Sequence, residues 1–389
     1  MVYSRLLRSG LVCLIAGCSD PDAPAPASSA AQMLERFVAL GTSNSMGVQS
    51  AGIFAAGQRA AWPAQLASRA GVSFSMPLVE EPGCSPPLVA PLARDLTLVG
   101  TLGGGFVNAV SGTCAPLQRG ITLPTNNVAI SGADVHDALV ATPESKGDPR
   151  TATLYSRVLA PGQTQVTAML AQKPTFVSVE LAANDVLPAS SGRVSAMTPY
   201  ADWERDYDAV LAAVKSVGAR AVLVGVPNDA ATFPSIRRAR EFSAESAALL
   251  GLGIRVTAGC AQSENYLFIP GYVLTLAAGV PATASCADVP GAADYALTPD
   301  DIAAINAQMT RMNAHMKAKA AEYGFAYFSL DAVYALAKPP FSVSGLLFSN
   351  SPFGATISLD GVHPSAQGQA LLAAAAAQAI NQVYGVAIP

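Results

Sequence analysis

The residue pattern predicts an α/β protein in which a central parallel sheet lies between two layers of helices. Short apolar runs alternate with longer amphipathic or alanine-rich stretches along most of the 389-residue chain. This alternation is typical of parallel strands joined by helices. Hydrophobic residues make up 51% of the chain and charged residues 13%, which excludes an intrinsically disordered protein. We therefore expect a three-layer α/β/α sandwich.

Five runs are predicted to be buried strands because they are short, apolar and rich in β-branched or aromatic residues. In chain order they are residues 37–40, 128–130, 176–181, 219–226 and 326–330. The helices are predicted where apolar residues recur at helical spacing or alanine is abundant. These stretches are residues 59–70, 155–172, 203–217, 235–250, 299–323 and 364–384.

Residues 72–126 and 227–297 interrupt this alternation, since much of each region is rich in glycine, proline and small residues. Long irregular segments are uncommon in compact domains and often carry function. We interpret both as long loops or small subdomains, inserted after the first and fourth strands, where they could form the wall or the lid of a site.

The N-terminus has the layout of a secretory signal. Arg5 and Arg8 precede a short apolar stretch, and small residues lead to Cys18, as in signals that are removed on export. The run Leu14-Ile15-Ala16-Gly17-Cys18 resembles the lipobox of bacterial lipoproteins. This resemblance implies that residues 1–17 are removed and that Cys18 becomes the lipidated N-terminus. The alternative is an ordinary signal peptide with an incidental cysteine.

Residues 18–34 are predicted to be a flexible tether because proline, alanine and serine dominate them. The resemblance to lipoproteins, with Ser19 after the cysteine, implies an exported protein anchored to the outer membrane of the bacterial cell envelope by its lipid. The folded domain would then comprise residues 35–389.

Charge and hydropathy argue against a nucleic-acid partner and against an internal membrane span. The chain carries 23 Lys and Arg against 27 Asp and Glu, with no basic cluster, so we expect no nucleic-acid partner. The most apolar internal stretch, residues 266–285, is broken by prolines and glycines and is a poor membrane span. Its first part, 266–280, could line an acyl pocket or contact lipid, although plain core packing is at least as good an interpretation.

Four cysteines remain after removal of the signal and lipidation of Cys18. An even number of cysteines in an exported protein indicates disulfides. Three pairings are possible, and proximity in sequence favours Cys84 with Cys114 and Cys260 with Cys286. No cysteine or histidine cluster has the spacing of a zinc site, so we expect no metal.

The segment Asp360-Gly361-Val362-His363 carries the strongest chemical signal. A carboxylate three residues before a histidine can hold the imidazole and stabilise its charged form during proton transfer. Pro364 suits the first position of a helix, which would place His363 at a helix start. A helix cap with a surface histidine is the alternative.

Three predicted strands end in polar turns. Ser43 follows the first strand, where a nearby histidine could activate it as a nucleophile, although a serine here could also be a helix cap. Gly132 follows the second strand and Asn184 the third. Their amides would lie at the same sheet edge and could face a developing oxyanion.

Taken in order, these four segments resemble the blocks of the SGNH (GDSL-type) hydrolase family, over about residues 37–384. The resemblance implies a flavodoxin-like sandwich and a serine esterase that needs no cofactor or metal. Ser43 would be the nucleophile and His363 the general base, with Asp360 orienting it. Gly132, Asn184 and the Ser43 amide would form the oxyanion hole.

The sequence departs from the family pattern at two positions. The Gly-Asp-Ser of the family is Gly41-Thr42-Ser43 here, and the glycine of Gly-x-Asn-Asp is Ala182. The block-one aspartate is not the triad acid, so Thr42 affects loop geometry more than proton transfer. Ala182 adds a methyl group at a tight turn and bears on the placement of Asn184.

The expected function is hydrolysis of a small-molecule or lipid ester through an acyl-enzyme. Two alternatives stay open: a catalytically silent surface or binding protein on the same fold, and an acyltransferase that uses the same serine. Four other polar residues near the motifs or with ionisable side chains are predicted to have structural or surface roles. They are Ser45, His136, Asp185 and His315.

Overall fold

The computed structural model describes residues 29–92, 114–272 and 282–389. Residues 1–28 lie outside this part of the chain, so the predicted signal, the lipidation of Cys18 and most of the tether lie outside it as well. The strands of the described residues are β1 (Phe37–Gly41), β2 (Phe176–Glu180), β3 (Arg220–Gly225), β4 (Ile236–Arg238), β5 (Ile254–Val256), β6 (Tyr266–Phe268), β7 (Ala282–Ala284), β8 (Ala296–Leu297) and β9 (Ala326–Ser329).

The central sheet is parallel, with the order β1-β2-β3-β9. Phe37 lies opposite Phe176 and Phe176 opposite Arg220. The predicted strand 128–130 runs beside β1 on the outer side, where the Val128 N–H donates to the Ala39 carbonyl at 2.9 Å. Asn127 forms only an isolated parallel bridge with Ala39. All these segments therefore end at one edge of the sheet.

Helices cover both faces of the sheet. They are α1 (Ala30–Met33), α2 (Ser43–Met46), α3 (Ala55–Ala60), α4 (Trp62–Ala70), α5 (Val135–Val140), α6 (Pro149–Val158), α7 (Gln165–Ala171), α8 (Ala183–Val186), α9 (Tyr200–Ser216), α10 (Ala239–Ala244), α11 (Ser246–Gly251), α12 (Pro299–Tyr323), α13 (Asp331–Tyr334), α14 (Val343–Phe348) and α15 (Ala366–Tyr384).

Alternate side chains of each strand enter two separate cores. Val38 and Leu40 pack with α5, α7, α9 and α12, whereas Phe37 and Ala39 pack with α4 and α15. This alternation follows from the two-residue period of a strand. The α/β/α sandwich expected from the sequence is therefore confirmed.

Three stretches that were each predicted to be one continuous helix are interrupted in the structure. Residues 59–70 belong to α3 and α4, which are separated at Ala61, where ψ is 141°. Residues 155–172 are split by a turn at Gly162, where φ is 72°, a conformation that favours glycine. Residues 235–250 begin as β4, because Arg237 pairs with Leu267 of β6.

The C-terminal helix begins two residues later than predicted. Ser365 is the N-cap, and its hydroxyl accepts from the Gly368 N–H. Pro364 instead forms a bridge with Ile357, which tightens the loop that carries Asp360 and His363. His363 therefore precedes the helix by a short, hydrogen-bonded turn.

The second insertion, 227–297, forms small sheets in its described part. Strands β4, β6 and β8 are antiparallel, and β5 pairs in parallel with β7. Disulfides join Cys260 to Cys286 and, in the first insertion, Cys84 to Cys114, which confirms the favoured pairing. Within the described ranges, no helix has the length and hydropathy needed to cross a bilayer.

Candidate active site

The carboxyl edge of the sheet brings distant polar residues to one cavity. Ser43 begins α2 directly after β1, Asn184 lies in α8 after β2, and His363 precedes α15. All three side chains line the same cavity. Open parallel sheets bind ligands at this edge, so the placement agrees with the position predicted from sequence.

The turn after β1 holds Ser43 in a buried position. The Ser43 N–H is the first of α2 and has no acceptor within the helix. Gly41 is required, because a Cβ there would lie 2.6 Å from the Ser45 hydroxyl. In the described structure no hydrogen bond joins Ser43 to His363. Such catalytic contacts often form only when the substrate is bound.

Asp360 and His363 form a tight pair. The His363 Nδ1 lies 2.8 Å from one carboxylate oxygen of Asp360, and the other oxygen accepts the backbone N–H of His363 at 2.8 Å. Backbone N–H groups of Ala51 and Val362 and the Ser358 hydroxyl also donate to this carboxylate. The pair is thus fixed from several directions.

The pKa of Asp360 is lowered although the carboxyl is buried. Burial alone would raise this pKa, but the charge of His363 and the hydrogen bonds from His363 and Val362 outweigh burial and lower the pKa to about 2. The carboxylate therefore stays ionised at neutral pH and can orient the imidazole and stabilise its protonated form.

Asn184 lines the cavity, whereas Gly132 is not among the residues that line it. Gly132 has a φ of 83°, and its N–H donates to no acceptor among the described residues. The Asn184 amide donates to the Ala133 carbonyl at 2.8 Å, which leaves its second N–H for a ligand. Ala182 has a φ of 175°, an extended conformation, so the alanine at this position brings no backbone strain.

Most of the remaining lining is apolar, with Asn44, Ser190 and Tyr334 as the polar exceptions. Its wall comes from α12, from the turns after β2 and β3, and from the second insertion through β4, β6 and β8. The side chains include Leu187, Phe233, Ile236, Phe268, Leu297 and Met309. Phe268 belongs to the apolar stretch 266–280, of which residues 273–280 lie outside the described part. An apolar wall of this kind suits an acyl chain.

Sequence reasoning gave no role to Glu180. This carboxyl is buried at the end of β2 and accepts hydrogen bonds from Thr42, Asn44 and Ser45. It therefore contacts the residues on both sides of Ser43. The available signal was a charged residue within an otherwise apolar predicted strand, since such a residue is rarely buried without partners.

Two other histidines lie elsewhere. His136 Nδ1 is 2.8 Å from Asp206, and the His136 side chain is 56% exposed. The His136–Asp206 pair therefore has the same contact as the His363–Asp360 pair but does not face the cavity. His315 contacts Asp208 and Glu204 and packs edge-on against Trp203. Neither histidine lines the cavity of Ser43.

Ser45 and Asp185 make internal contacts. The Ser45 hydroxyl accepts from the Trp62 indole at 3.2 Å, and Asp185 accepts the Val135 N–H at 3.3 Å. Burial, with the nearby Asp134 charge, raises the pKa of Asp185 to about 7. In the three described ranges, no group of three or more His, Cys, Asp or Glu side chains is placed to bind a metal ion.

Comparison with known proteins gives one family. The family model described as GDSL-like Lipase/Acylhydrolase matches residues 37–376. Among solved structures, a mutant acetyl-xylooligosaccharide esterase from Geobacillus stearmophilus has 13% identity and a TM-score of 0.32, covering 90% of this chain and 93% of its own. An extracellular lipase from Streptomyces rimosus has 17% identity and a TM-score of 0.33, with coverages of 87% and 98%. No curated protein matches the sequence.

Proposed function

Because the chain belongs to the GDSL-like lipase/acylhydrolase family and is an ester hydrolase at that level, we propose that it cleaves carboxylic esters through Ser43, His363 and Asp360. The observation that carries this proposal is the cavity shared by Ser43, Asn184 and His363, together with the 2.8 Å contact between His363 and Asp360.

The proposed reaction has two halves. His363 Nε2 takes the Ser43 proton as the hydroxyl oxygen attacks the ester carbonyl, and it then gives this proton to the leaving alcohol. Water, deprotonated by the same histidine, attacks the acyl-enzyme and releases the acid, which regenerates the Ser43 hydroxyl. Asp360 holds the Nδ1 side of the ring throughout, so that Nε2 faces the cavity.

Three donors support the negative charge that develops on the carbonyl oxygen. They are the N–H groups of Ser43 and Gly132, which have no acceptor among the described residues, and the second N–H of the Asn184 amide. Preorganised donors of this kind stabilise tetrahedral intermediates because they need no reorganisation during the reaction.

The apolar cavity supports a substrate with an apolar acyl group. Among the described residues, the wall around Met309, Phe268 and Leu297 offers no charged side chain to a polar acid moiety. Burial of each methylene group contributes about 0.8 kcal/mol. We therefore expect esters of longer fatty acids to react with higher kcat/KM than acetate esters, until the chain exceeds the cavity.

The first test is hydrolysis of p-nitrophenyl esters from acetate to palmitate by residues 34–389. Ser43→Ala and His363→Ala should each lower kcat by at least about 1,000-fold, and Ser43→Ala should abolish labelling by a fluorophosphonate. His136→Ala is the matched control, because His136 pairs with an aspartate in the same manner but lies outside the cavity.

The outcomes separate the alternatives. A folded protein without hydrolysis or labelling would indicate a silent binding protein. Labelling without hydrolysis, followed by ester formation when an acceptor alcohol is supplied, would indicate an acyltransferase.

We also propose that Cys18 carries a lipid that anchors the enzyme to the outer membrane of a bacterial cell envelope. The two disulfides of the described domain support export, because such bonds persist in oxidising compartments. With Cys18→Ser, we expect the protein to move from the membrane fraction to the soluble fraction and to lose incorporation of labelled palmitate. Retention in the membrane would contradict the anchor.

A further inference from the structure

We propose that Glu180 is a positioning residue that fixes the turn carrying Ser43, and that it acts through hydrogen bonds rather than through its charge. This inference rests on the proposed function of Ser43. It concerns a residue that never contacts the reacting atoms, since Glu180 lies beneath the turn and does not line the cavity.

Both oxygens of Glu180 accept bonds from the turn. One accepts the N–H groups of Thr42 and Ser45 at 3.0 and 3.2 Å. The other accepts the Thr42 hydroxyl at 2.8 Å and lies 3.4 Å from the Asn44 amide nitrogen. These contacts fix the residues before and after Ser43, and with them the directions of the Ser43 hydroxyl and N–H.

Within the described part of the chain, no other group accepts hydrogen bonds from these donors. Thr42, Ser45 and Glu180 are each at most 2% exposed, so water does not reach the donors. A Cβ on Gly41 would lie 3.1 Å from the nearer Glu180 oxygen, which shows how closely the carboxyl approaches the turn. A buried N–H that loses its acceptor is strongly unfavourable, so the turn would rearrange if the carboxyl were withdrawn.

The contacts also explain the threonine at position 42. Its hydroxyl donates to Glu180, a role that the aspartate of the family pattern could fill only when protonated. The two departures from the family pattern thus differ in kind: Thr42 takes part in the support of the nucleophile, whereas Ala182 only occupies space.

Glutamine and aspartate at position 180 separate hydrogen bonding from charge. Glu180→Gln removes the charge, but its carbonyl oxygen can accept both backbone N–H groups. Its NH₂ can donate to the Thr42 hydroxyl, which can rotate to accept, and to the Asn44 amide oxygen, which has no partner in the described structure, once the Asn44 amide turns over. Glu180→Asp keeps the charge but is one methylene shorter and withdraws the acceptors from the turn.

The experiment measures kcat and KM of both variants at a temperature well below their unfolding transitions. We expect Glu180→Gln to keep kcat within about threefold of wild type, and Glu180→Asp to lose about 100-fold in kcat with KM nearly unchanged, as for a displaced reacting group. Glu322→Gln, an exposed glutamate of α12, is the control for a change of charge elsewhere.

A second pair of variants guards against misfolding of Glu180→Asp. Thr42→Ser keeps the hydroxyl donor and should retain kcat, whereas Thr42→Val removes it and should lower kcat about tenfold. Equal kcat values within either pair, or a larger loss in Glu180→Gln than in Glu180→Asp, would overturn the inference while leaving ester hydrolysis intact. A wild type that is neither active nor labelled by the fluorophosphonate would overturn the proposed function and the inference together.

Discussion

Asp360 shows how a single carboxylate serves both the fold and the proposed chemistry. Its two oxygens accept bonds from Ala51, Ser358, Val362 and His363. The same bonds that orient the imidazole also join the loop before α15 to the segment after α2. The residue therefore links proton transfer to conformational stability.

The lowered pKa of Asp360 predicts a specific loss of stability in acid. A group whose pKa falls on folding stabilises the protein above its unfolded pKa, near 3.8, and this contribution is lost as the pH falls through the folded pKa, about 2. The difference corresponds to about 2 kcal/mol. In urea unfolding, the stability gap between wild type and Asp360→Asn should narrow by this amount between pH 5 and pH 2. Asp202→Asn, an exposed carboxylate of α9, is the control, and a gap that does not change with pH would contradict the prediction.

For individual residues, the sequence predicts a role only where the role depends on a pattern of neighbouring residues. The motif positions of Ser43, Gly132 and His363 follow from strand ends and a three-residue spacing. Glu180 carries no such pattern, because its partner Thr42 lies 138 positions away. Only the folded sheet, which sets Gly41 opposite Glu180, brings the two together.

The helix α15 connects the loop that carries His363 to the turn that carries Ser43. Gln369, fully buried on this helix, donates to the Asn44 carbonyl at 3.1 Å and accepts the Trp62 N–H at 2.9 Å. One amide therefore joins α15, α4 and α2. The distance between the two proposed catalytic side chains depends on how this helix packs.

Gln369→Leu should destabilise the protein and lower activity together. Leucine has a similar volume but leaves the Trp62 N–H and the Asn44 carbonyl without partners, at about 1–3 kcal/mol for each buried group. We expect a loss of about 2–6 kcal/mol in the free energy of unfolding by urea, as the sum of these costs, and a lower kcat in the folded fraction. Gln378→Leu on the exposed face of α15 should change neither; equal effects of the two variants would refute the role of Gln369.

Element boundaries were predictable where caps and core spacing agree. The helix 299–323 was predicted at its observed bounds, because Thr298 caps it and Gly324 ends it. The interval 235–250 was misread as one helix, since the pairing of β4 with β6 comes from a strand about thirty residues later in the chain. Tertiary pairing of this kind leaves no periodicity within a short window.

On the scale of the whole molecule, the sheet and the second insertion contribute different parts of the cavity. The sheet edge positions the polar residues, whereas β4, β6 and β8 contribute Ile236, Phe268 and Leu297 to the apolar wall. The Cys260–Cys286 disulfide encloses β6 and β7, and β7 pairs with β5. The conformation of the apolar wall can therefore change without a displacement of Ser43 or His363.

Removal of this disulfide should loosen the wall before the sheet. In a double variant, Cys260→Ala with Cys286→Ala, we expect faster amide hydrogen exchange in β5, β6 and β7, unchanged exchange in β1 to β3, and a lower rate for long-chain esters relative to acetate. A disulfide that closes a loop of this length contributes about 3 kcal/mol. The matched control changes Cys84 and Cys114 instead. Uniform acceleration of exchange across the sheet would count against a wall that changes independently of the sheet.

The contact between Gln369 and Asn44 joins residues 325 positions apart, and that between Asp360 and Ala51 joins residues 309 apart. Contacts of such high sequence separation form late in folding, because the entropy of closing the intervening chain must be overcome first. A nascent or truncated chain that ends before His363 thus has Ser43 but lacks the histidine that we propose as its base. The proposed hydrolytic activity would then appear only once the fold is complete. An incomplete chain would therefore not hydrolyse esters inside the cell that makes it.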